Sequence, residues 1–261
     1  MSIPKRTILF LGATGGVGLS ALRRSLAADH TCIALCRNPS KLASAFPSSN
    51  PPPNLHLVEG NAHDADTLAR CLRDPSSSDD RSSPVHVVDT VVFSIGALPT
   101  LTGMTDPHVC EKGMTALLEA VRRVREEDKN NEWRGKKLRL VAVSTTGISQ
   151  HVRDVPLLFL PLYKILLHTP HKDKVAMERL VMGSGAEEGV EWTIVRGSLY
   201  TSGPATEGLV REGMEDPVSG VVEEGIPVGY TISREDVGKW VFENVIQGGG
   251  RWIGKAAVIT Y

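Results

Sequence analysis

Cysteine is scarce in this 261-residue sequence, and its four thiols (Cys32, Cys36, Cys71, Cys110) form neither a C-x-x-C pair nor a disulfide framework. That excludes a stapled scaffold and predicts a reducing, cytoplasmic setting. Cys32 and Cys36 fall on one face of a predicted strand, where thiols pack into a core. Charge of either sign is also nearly balanced. A net charge of −1, with no basic patch interleaved with aromatics, argues against nucleic acid or an acidic membrane as partner. The most apolar stretch, Val155 to Leu167, contains Pro156, Pro161 and Lys164 and is too short to span a bilayer. No basic segment followed by an apolar one opens the chain, so no secretory leader is expected. A G-x-S-x-G elbow is missing, which removes the usual setting for Ser-His-Asp hydrolysis. His168 and His171 flank Pro170 beside Asp173 with no cysteine nearby; they read as loop histidines, and no metal is expected. There is no internal repeat.

What is present is a strand, a glycine turn and a helix. Ile8, Leu9, Phe10 and Leu11 form an apolar, strand-like run, which breaks into Gly12-Ala13-Thr14-Gly15-Gly16-Val17-Gly18. A helical pattern then resumes through Leu19, Leu22 and Leu26. This is the context that a dinucleotide-binding fingerprint requires. Gly12 permits the tight turn, Gly15 or Gly16 lets the backbone approach a pyrophosphate, and Gly18 lets helix and strand pack closely. The helix start offers free N–H groups and partial positive charge to phosphates.

Further strands are predicted over His30 to Arg37, Leu55 to Glu59, Val87 to Gly96, Lys137 to Ser144, Glu191 to Arg196 and Ala256 to Tyr261. Helices are predicted over Asp64 to Leu72, Pro107 to Asp128, Lys172 to Met182 and, capped by Ser233, Arg234 to Val245. Such alternation predicts an α/β fold: a Rossmann-type doubly wound parallel sheet with helices on both faces. The 41% hydrophobic and 23% charged content suits one globular domain over residues 1–261. Within it, residues 198–230, rich in Gly, Pro and Glu, read as much of a small C-terminal substrate lobe. The polar segment Arg73 to Pro84 is given no function, and the 155–167 stretch reads as core or as a flap over substrate.

In doubly wound sheets the ligand crevice lies beyond the carboxyl ends of the strands. Gly12, Arg37, Asn61, Ser94 and Ser144 all fall at such ends. The end of the second strand chooses the dinucleotide: an acid there meets the ribose 2′-hydroxyl of NAD, and a cation meets the 2′-phosphate of NADP. Here stands Arg37, with Lys41 nearby, and no Asp or Glu occurs between His30 and Val58. The expected cofactor is NADP(H).

Together these segments resemble an atypical short-chain dehydrogenase/reductase of the NAD(P)-binding, NmrA-like and flavin-reductase-like type. The resemblance spans the chain through GATGGVG at Gly12, CRNPSK at Cys36, EGN at Glu59 and VSTTG at Val143. It continues through DKVAMERL at Asp173, EWTIVRGSLYTSGP at Glu191 and ISREDVGKWV at Ile232. It implies that Gly12, Thr14, Gly15, Gly16, Val17 and Gly18 hold the pyrophosphate, that Arg37 meets the 2′-phosphate, and that Asn61 and Ala62 lie by the adenine. Ser94, Ile95, Gly96 and Arg196 would line the ribose and nicotinamide, and Lys174 would stand near the ribose. Two features depart from the family pattern. Tyr-x-x-x-Lys is absent, and the sixth strand ends in Arg196-Gly197 where the group usually reads Arg-Pro.

The candidate catalytic residues are therefore Ser144, Lys174 and Tyr200. Ser144 either hydrogen-bonds a substrate oxygen or caps its strand end, and Lys174 either serves the cofactor or is a first-turn helix lysine in solvent. Tyr200 and Tyr163 are proton-donor candidates or packed aromatics. The function expected is an NADPH-dependent reductase transferring hydride to a small apolar carbonyl, enone or flavin-like compound. The alternatives are a non-redox isomerase, epimerase or cyclase of the same fold, or a catalytically silent NADP(H)-sensing regulator. A small-molecule substrate and a monomer or homodimer complete the expectation.

Overall fold

The computed structural model describes residues 4–47, 50–73, 87–97, 106–128, 136–159, 161, 167–187, 189–206 and 208–261. Tyr163 and most of the polar segment Arg73 to Pro84 lie outside the described residues. The first half alternates β1 (Thr7–Leu11), α1 (Gly16–Ala27), β2 (Thr31–Cys36), a short α2 (Pro39–Ala43), β3 (Leu55–Glu59) and α3 (Ala65–Leu72). It continues through β4 (Thr90–Phe93), α4 (Val109–Glu126) and β5 (Leu138–Thr145). The second half holds α5 (His168–Glu187), β6 (Val190–Gly197), β7 (Leu199–Thr201), β8 (Arg211–Glu215) and β9 (Val222–Glu224). Then come β10 (Thr231–Ser233), α6 (Arg234–Val241), running into a π-helical turn over Phe242–Ile246, and β11 (Lys255–Thr260).

One nine-stranded sheet runs in the order β3-β2-β1-β4-β5-β6-β11-β8-β9, and a second sheet pairs β10 with β7. From β3 across to β11 every pairing is parallel, whereas β8 and β9 are antiparallel. Parallel strands covered on both faces need continuous apolar runs. Thus Ile8, Leu9, Phe10 and Leu11 are all fully buried. Alternate side chains feed two cores. Leu9, Ile33, Leu140 and Ile194 pack with Leu68, Met114 and Met177, on the face that α3, α4 and α5 cover. Phe10, Val143 and Val195 pack with Leu22, Val237 and Trp240, on the face of α1 and α6.

The elements read from periodicity are present; the second half adds strands, including the β7–β10 pair, and one predicted loop is helical. The lobe predicted over 198–230 supplies β8 and β9, two antiparallel strands that widen the main sheet beyond β11. Their weak alternation hid them, because exposed Val222 and Glu223 sit on an edge strand with little to bury. Secondly, His168 and His171 lie in the first turn of α5, not in a loop. Burial, with His168 adding to it, pushes the His171 imidazole down to about 4.

Candidate active site

The five segments expected at one edge do converge there. Gly12, Arg37, Gly60, Ser94 and Thr146 each follow directly on β1, β2, β3, β4 and β5, which run parallel. Gly12 has φ +92°, a left-handed backbone that only glycine adopts without strain. A Cβ there would lie 2.7 Å from the Ser94 carbonyl oxygen. A Cβ on Gly18 would lie 2.3 Å from Ser94 Oγ and 2.7 Å from the Gly12 carbonyl. Gly12 thus lets the first turn meet the end of β4 backbone to backbone, and Gly18 lets α1 close on that turn and on the Ser94 hydroxyl. Ser94 locks the contact, donating from its N–H (2.8 Å) and from Oγ (3.0 Å) to the Leu11 carbonyl.

The turn fits a dinucleotide pyrophosphate. A Cβ on Gly15 would meet no atom within 4 Å, so the front of the turn is open. No side chain caps the first N–H groups of α1, and its first turn carries no acid. Thr14 is half-buried in the turn, and Val17 is buried with its side chain in the α1 core. Across the turn lies Arg234, the first residue of α6, whose Cδ would stand 3.1 Å from a Cβ on Gly16. Sequence reading misses Arg234. Its signal is the Ser233 cap, which accepts from the Asp236 N–H and fixes where α6 begins.

Arg37 and Lys41 are exposed, and their side chains enter no ion pair among the described residues. Asn38 caps α2 by accepting from the Lys41 N–H, which sets Lys41 close behind Arg37. Asn61 is exposed at the end of β3 and accepts from the His63 N–H, while Ala62 packs against the α3–α4 core. Ile95 is half-buried and Gly96 exposed.

The catalytic candidates meet at the end of β5, in roles the sequence does not foresee. Lys174 is not a solvent lysine. Its Nζ donates to the carbonyls of Val143 (2.7 Å) and Ile95 (3.0 Å), tying the ends of β5 and β4 together. Beside it, both Asp173 oxygens accept from the Cys110 and Glu111 N–H groups at 2.9 Å, capping α4. Tyr200 donates its hydroxyl proton to the Ser144 carbonyl at 2.6 Å and accepts from the Gly197 N–H at 3.2 Å. Both side chains are therefore clamps on the strand that carries Ser144. Ser144 itself is buried, and its Oγ has no hydrogen-bond partner among the described residues.

Arg196 requires a correction. The sequence reading sets it against the nicotinamide, but its guanidinium is buried and committed to protein. It meets Glu178 through two bonds (2.7 and 3.1 Å) and Glu215 through a third (2.7 Å). Burial opposes its charge, yet the two glutamates outweigh that and hold its pKa above the ordinary value. Ser149 donates to the other Glu215 oxygen at 2.8 Å. Nearby, buried Asp154 accepts from the Gly147 N–H at 2.8 Å. Burial drives its carboxyl up to about 6 against the pull of that N–H and of Arg196.

Residues 12–247 match a family described as NAD(P)H-binding. The chain belongs to this family. Reductase pytE of Aspergillus terreus is 35% identical over 278 residues, covering 100% of both chains. Oxidase pynE of Aspergillus niger is 34% identical over 282 residues, covering 98% of this chain and 99% of its own. Among solved structures, a short-chain dehydrogenase/reductase from Veillonella parvula in complex with NADP superposes with TM-score 0.68 at 14% identity. The match covers 99% of this chain and 95% of that one. The anaerobillin reductase ChuY of Escherichia coli gives TM-score 0.65 at 16% identity, covering 97% and 96%. These likenesses uphold the atypical short-chain dehydrogenase/reductase resemblance, and this protein is an NAD(P)-dependent oxidoreductase of Rossmann fold. Among the described residues of this oxidoreductase, no helix is long and apolar enough to cross a membrane.

Proposed function

We propose that this oxidoreductase is an NADPH-dependent reductase acting on a small apolar carbonyl, enone or flavin-like substrate. One observation carries the cofactor choice. The end of β2 presents Arg37 and Lys41, two exposed cations outside any ion pair among the described residues, where an NAD site would hold an acid. The glycine cradle at Gly12–Gly18 offers its N–H groups to the pyrophosphate, and Arg234 closes over it from α6. A bound reduced nicotinamide supplies hydride, and the protein supplies position, electrostatics and a proton. Lys174 and Tyr200 hold the end of β5 rigid at the edge of the crevice. The apolar substrate class is supported by exposed Leu157 and Leu158 and by the edge-on Phe159–Tyr230 pair, with ring centroids 4.9 Å apart. Tyr230 directly precedes β10, which pairs with β7 just beyond the end of β6.

Calorimetric titration tests the cofactor assignment. NADPH is expected to bind at least about tenfold tighter than NADH, a difference of about 1.4 kcal/mol, and Arg37→Ala to erase the preference. Equal affinity for both cofactors overturns the NADP assignment. Failure to bind either overturns the reductase.

A further inference from the structure

The first residue of α6 brings a cation to the glycine turn, and no acid among the described residues neutralises it. Arg234 is half-buried, and its side chain enters no hydrogen bond and no ion pair there. The carboxylates that follow it in the chain are committed elsewhere. Glu235 pairs with Arg24 of α1 at 2.6 Å. Asp236 accepts from the hydroxyls of Ser233 (2.9 Å) and Tyr261, and from the N–H (2.8 Å) and Oγ1 (3.0 Å) of Thr206.

The arginine is nevertheless held in place. Its guanidinium carbon lies over the Tyr200 ring, 5.9 Å from the centroid, within reach of a cation–π contact. Tyr200 is itself fixed by the bond from its hydroxyl to the Ser144 carbonyl. The Arg234 stem crosses Gly16, where a Cβ would lie 3.1 Å from Cδ and 3.8 Å from Nε. Any side chain at Gly16 would press on that stem. Beside Gly16 a cleft of about 190 Å³ opens between α1 and the residues Ser202 and Gly203 that follow β7, with Arg234 in its wall. Because α1 begins at Gly16, its uncapped N–H groups and the guanidinium border the same space.

We propose that Arg234 is a diphosphate ligand of this oxidoreductase, gripping the bridge between the riboses that NADPH and NADH share. This rests on the cofactor reading above. A guanidinium presents N–H donors side by side in one plane, and phosphate oxygens accept them in pairs. The N–H groups of the turn take one side of the diphosphate, and Arg234 takes the other from α6. Its charge is blind to the 2′-phosphate, which belongs to Arg37 and Lys41 at the end of β2. Arg234 therefore sets how tightly a dinucleotide is held, and Arg37 sets which one.

The test uses the full chain and compares Arg234→Ala, Arg234→Lys and Arg37→Ala by calorimetry and by phosphorus NMR. Arg234→Ala should weaken NADPH and NADH by the same factor, about 10–100-fold, as for a lost hydrogen bond to a charged group. Arg37→Ala should weaken NADPH alone. Arg234→Lys, which keeps the charge without the planar fork, should recover part of the loss for both cofactors. In spectra taken at saturating NADPH, Arg234→Ala should move the diphosphate resonances and leave the 2′-phosphate resonance in place. Arg37→Ala should give the opposite pattern. Wild-type affinity of Arg234→Ala for both cofactors overturns the proposal, and so does a loss confined to NADPH or a shift confined to the 2′-phosphate. If the wild type binds NADPH and NADH equally, the NADP assignment falls, while a common loss in Arg234→Ala still upholds the diphosphate contact. A wild type that binds neither overturns both.

Discussion

The two ends of the crevice are built by opposite means. At the β1 end, backbone does the work: Gly12 admits the Ser94 main chain, Gly18 admits the Gly12 carbonyl and the Ser94 hydroxyl, and α1 offers N–H groups that no side chain caps. At the β5–β6 end, side chains do it. Lys174 and Tyr200 clamp main-chain carbonyls, and Arg196 is locked between two glutamates. A backbone cradle is shaped by what is absent from the side chain, so its demands are steric and local. The charged corner depends on four elements arriving together. Its stability is collective, because a buried ion pair is weak evidence of net stabilisation yet costly to break.

That contrast makes different substitutions fail in different ways. The largest effect is expected from Arg196→Ala, which strands Glu178 and Glu215 as buried charges without a counter-ion. A loss of about 3–5 kcal/mol is expected in urea unfolding, with NADPH affinity of the folded fraction little changed. If instead affinity falls and stability holds, Arg196 is a cofactor ligand and the contrast collapses. Gly18→Ala should act on binding as well as on stability. Its Cβ must displace the Ser94 hydroxyl and press on the Gly12 carbonyl, costing about 1–3 kcal/mol of stability and abolishing detectable NADPH binding by calorimetry. Unchanged binding would show that the cradle tolerates a methyl group and is not close-packed.

Asp154→Asn sharpens the comparison through pH. The folded carboxyl titrates at about 6, above its unfolded value of 3.8, so the native state binds more protons between those limits. Wild-type stability should therefore fall as pH rises from about 4 to about 6, by about 2–3 kcal/mol, and stay level above. The variant should lack that decline in unfolding titrations run across the window. The smallest effect belongs to Ser233→Ala at the cap of α6, where about 1 kcal/mol is expected by thermal unfolding. Because this cap sets Arg234 against Gly16, NADPH affinity should weaken slightly as well, a loss that calorimetry would detect.

Much of the backbone end was legible in the chain. Apolar runs such as Ile8 to Leu11 can be satisfied only in a doubly covered parallel strand. The glycine turn and the absence of an acid after β2 are local facts, so the cradle and the Arg37 position could be read from them. The side-chain end was not legible. Nothing near Lys174 in sequence indicates that its ammonium meets carbonyls of Ile95 and Val143, which lie 79 and 31 residues away. Arg196 looks like any strand-end cation until β8, itself hidden by weak alternation, delivers Glu215 beside it.

By itself, then, the sequence determined the parallel strands and the helices that cover them, the glycine turn after β1 and the cation that follows β2. Each follows from periodicity or steric freedom within a few residues. Only the tertiary structure decided that Tyr200 and Lys174 are clamps, that Arg196 is an internal counter-ion, and that Ser144 and Asp154 each bury a polar atom without a hydrogen-bond partner among the described residues. Those roles depend on which groups share a low-dielectric corner, and hydrogen bonding and desolvation there are set by distance in space.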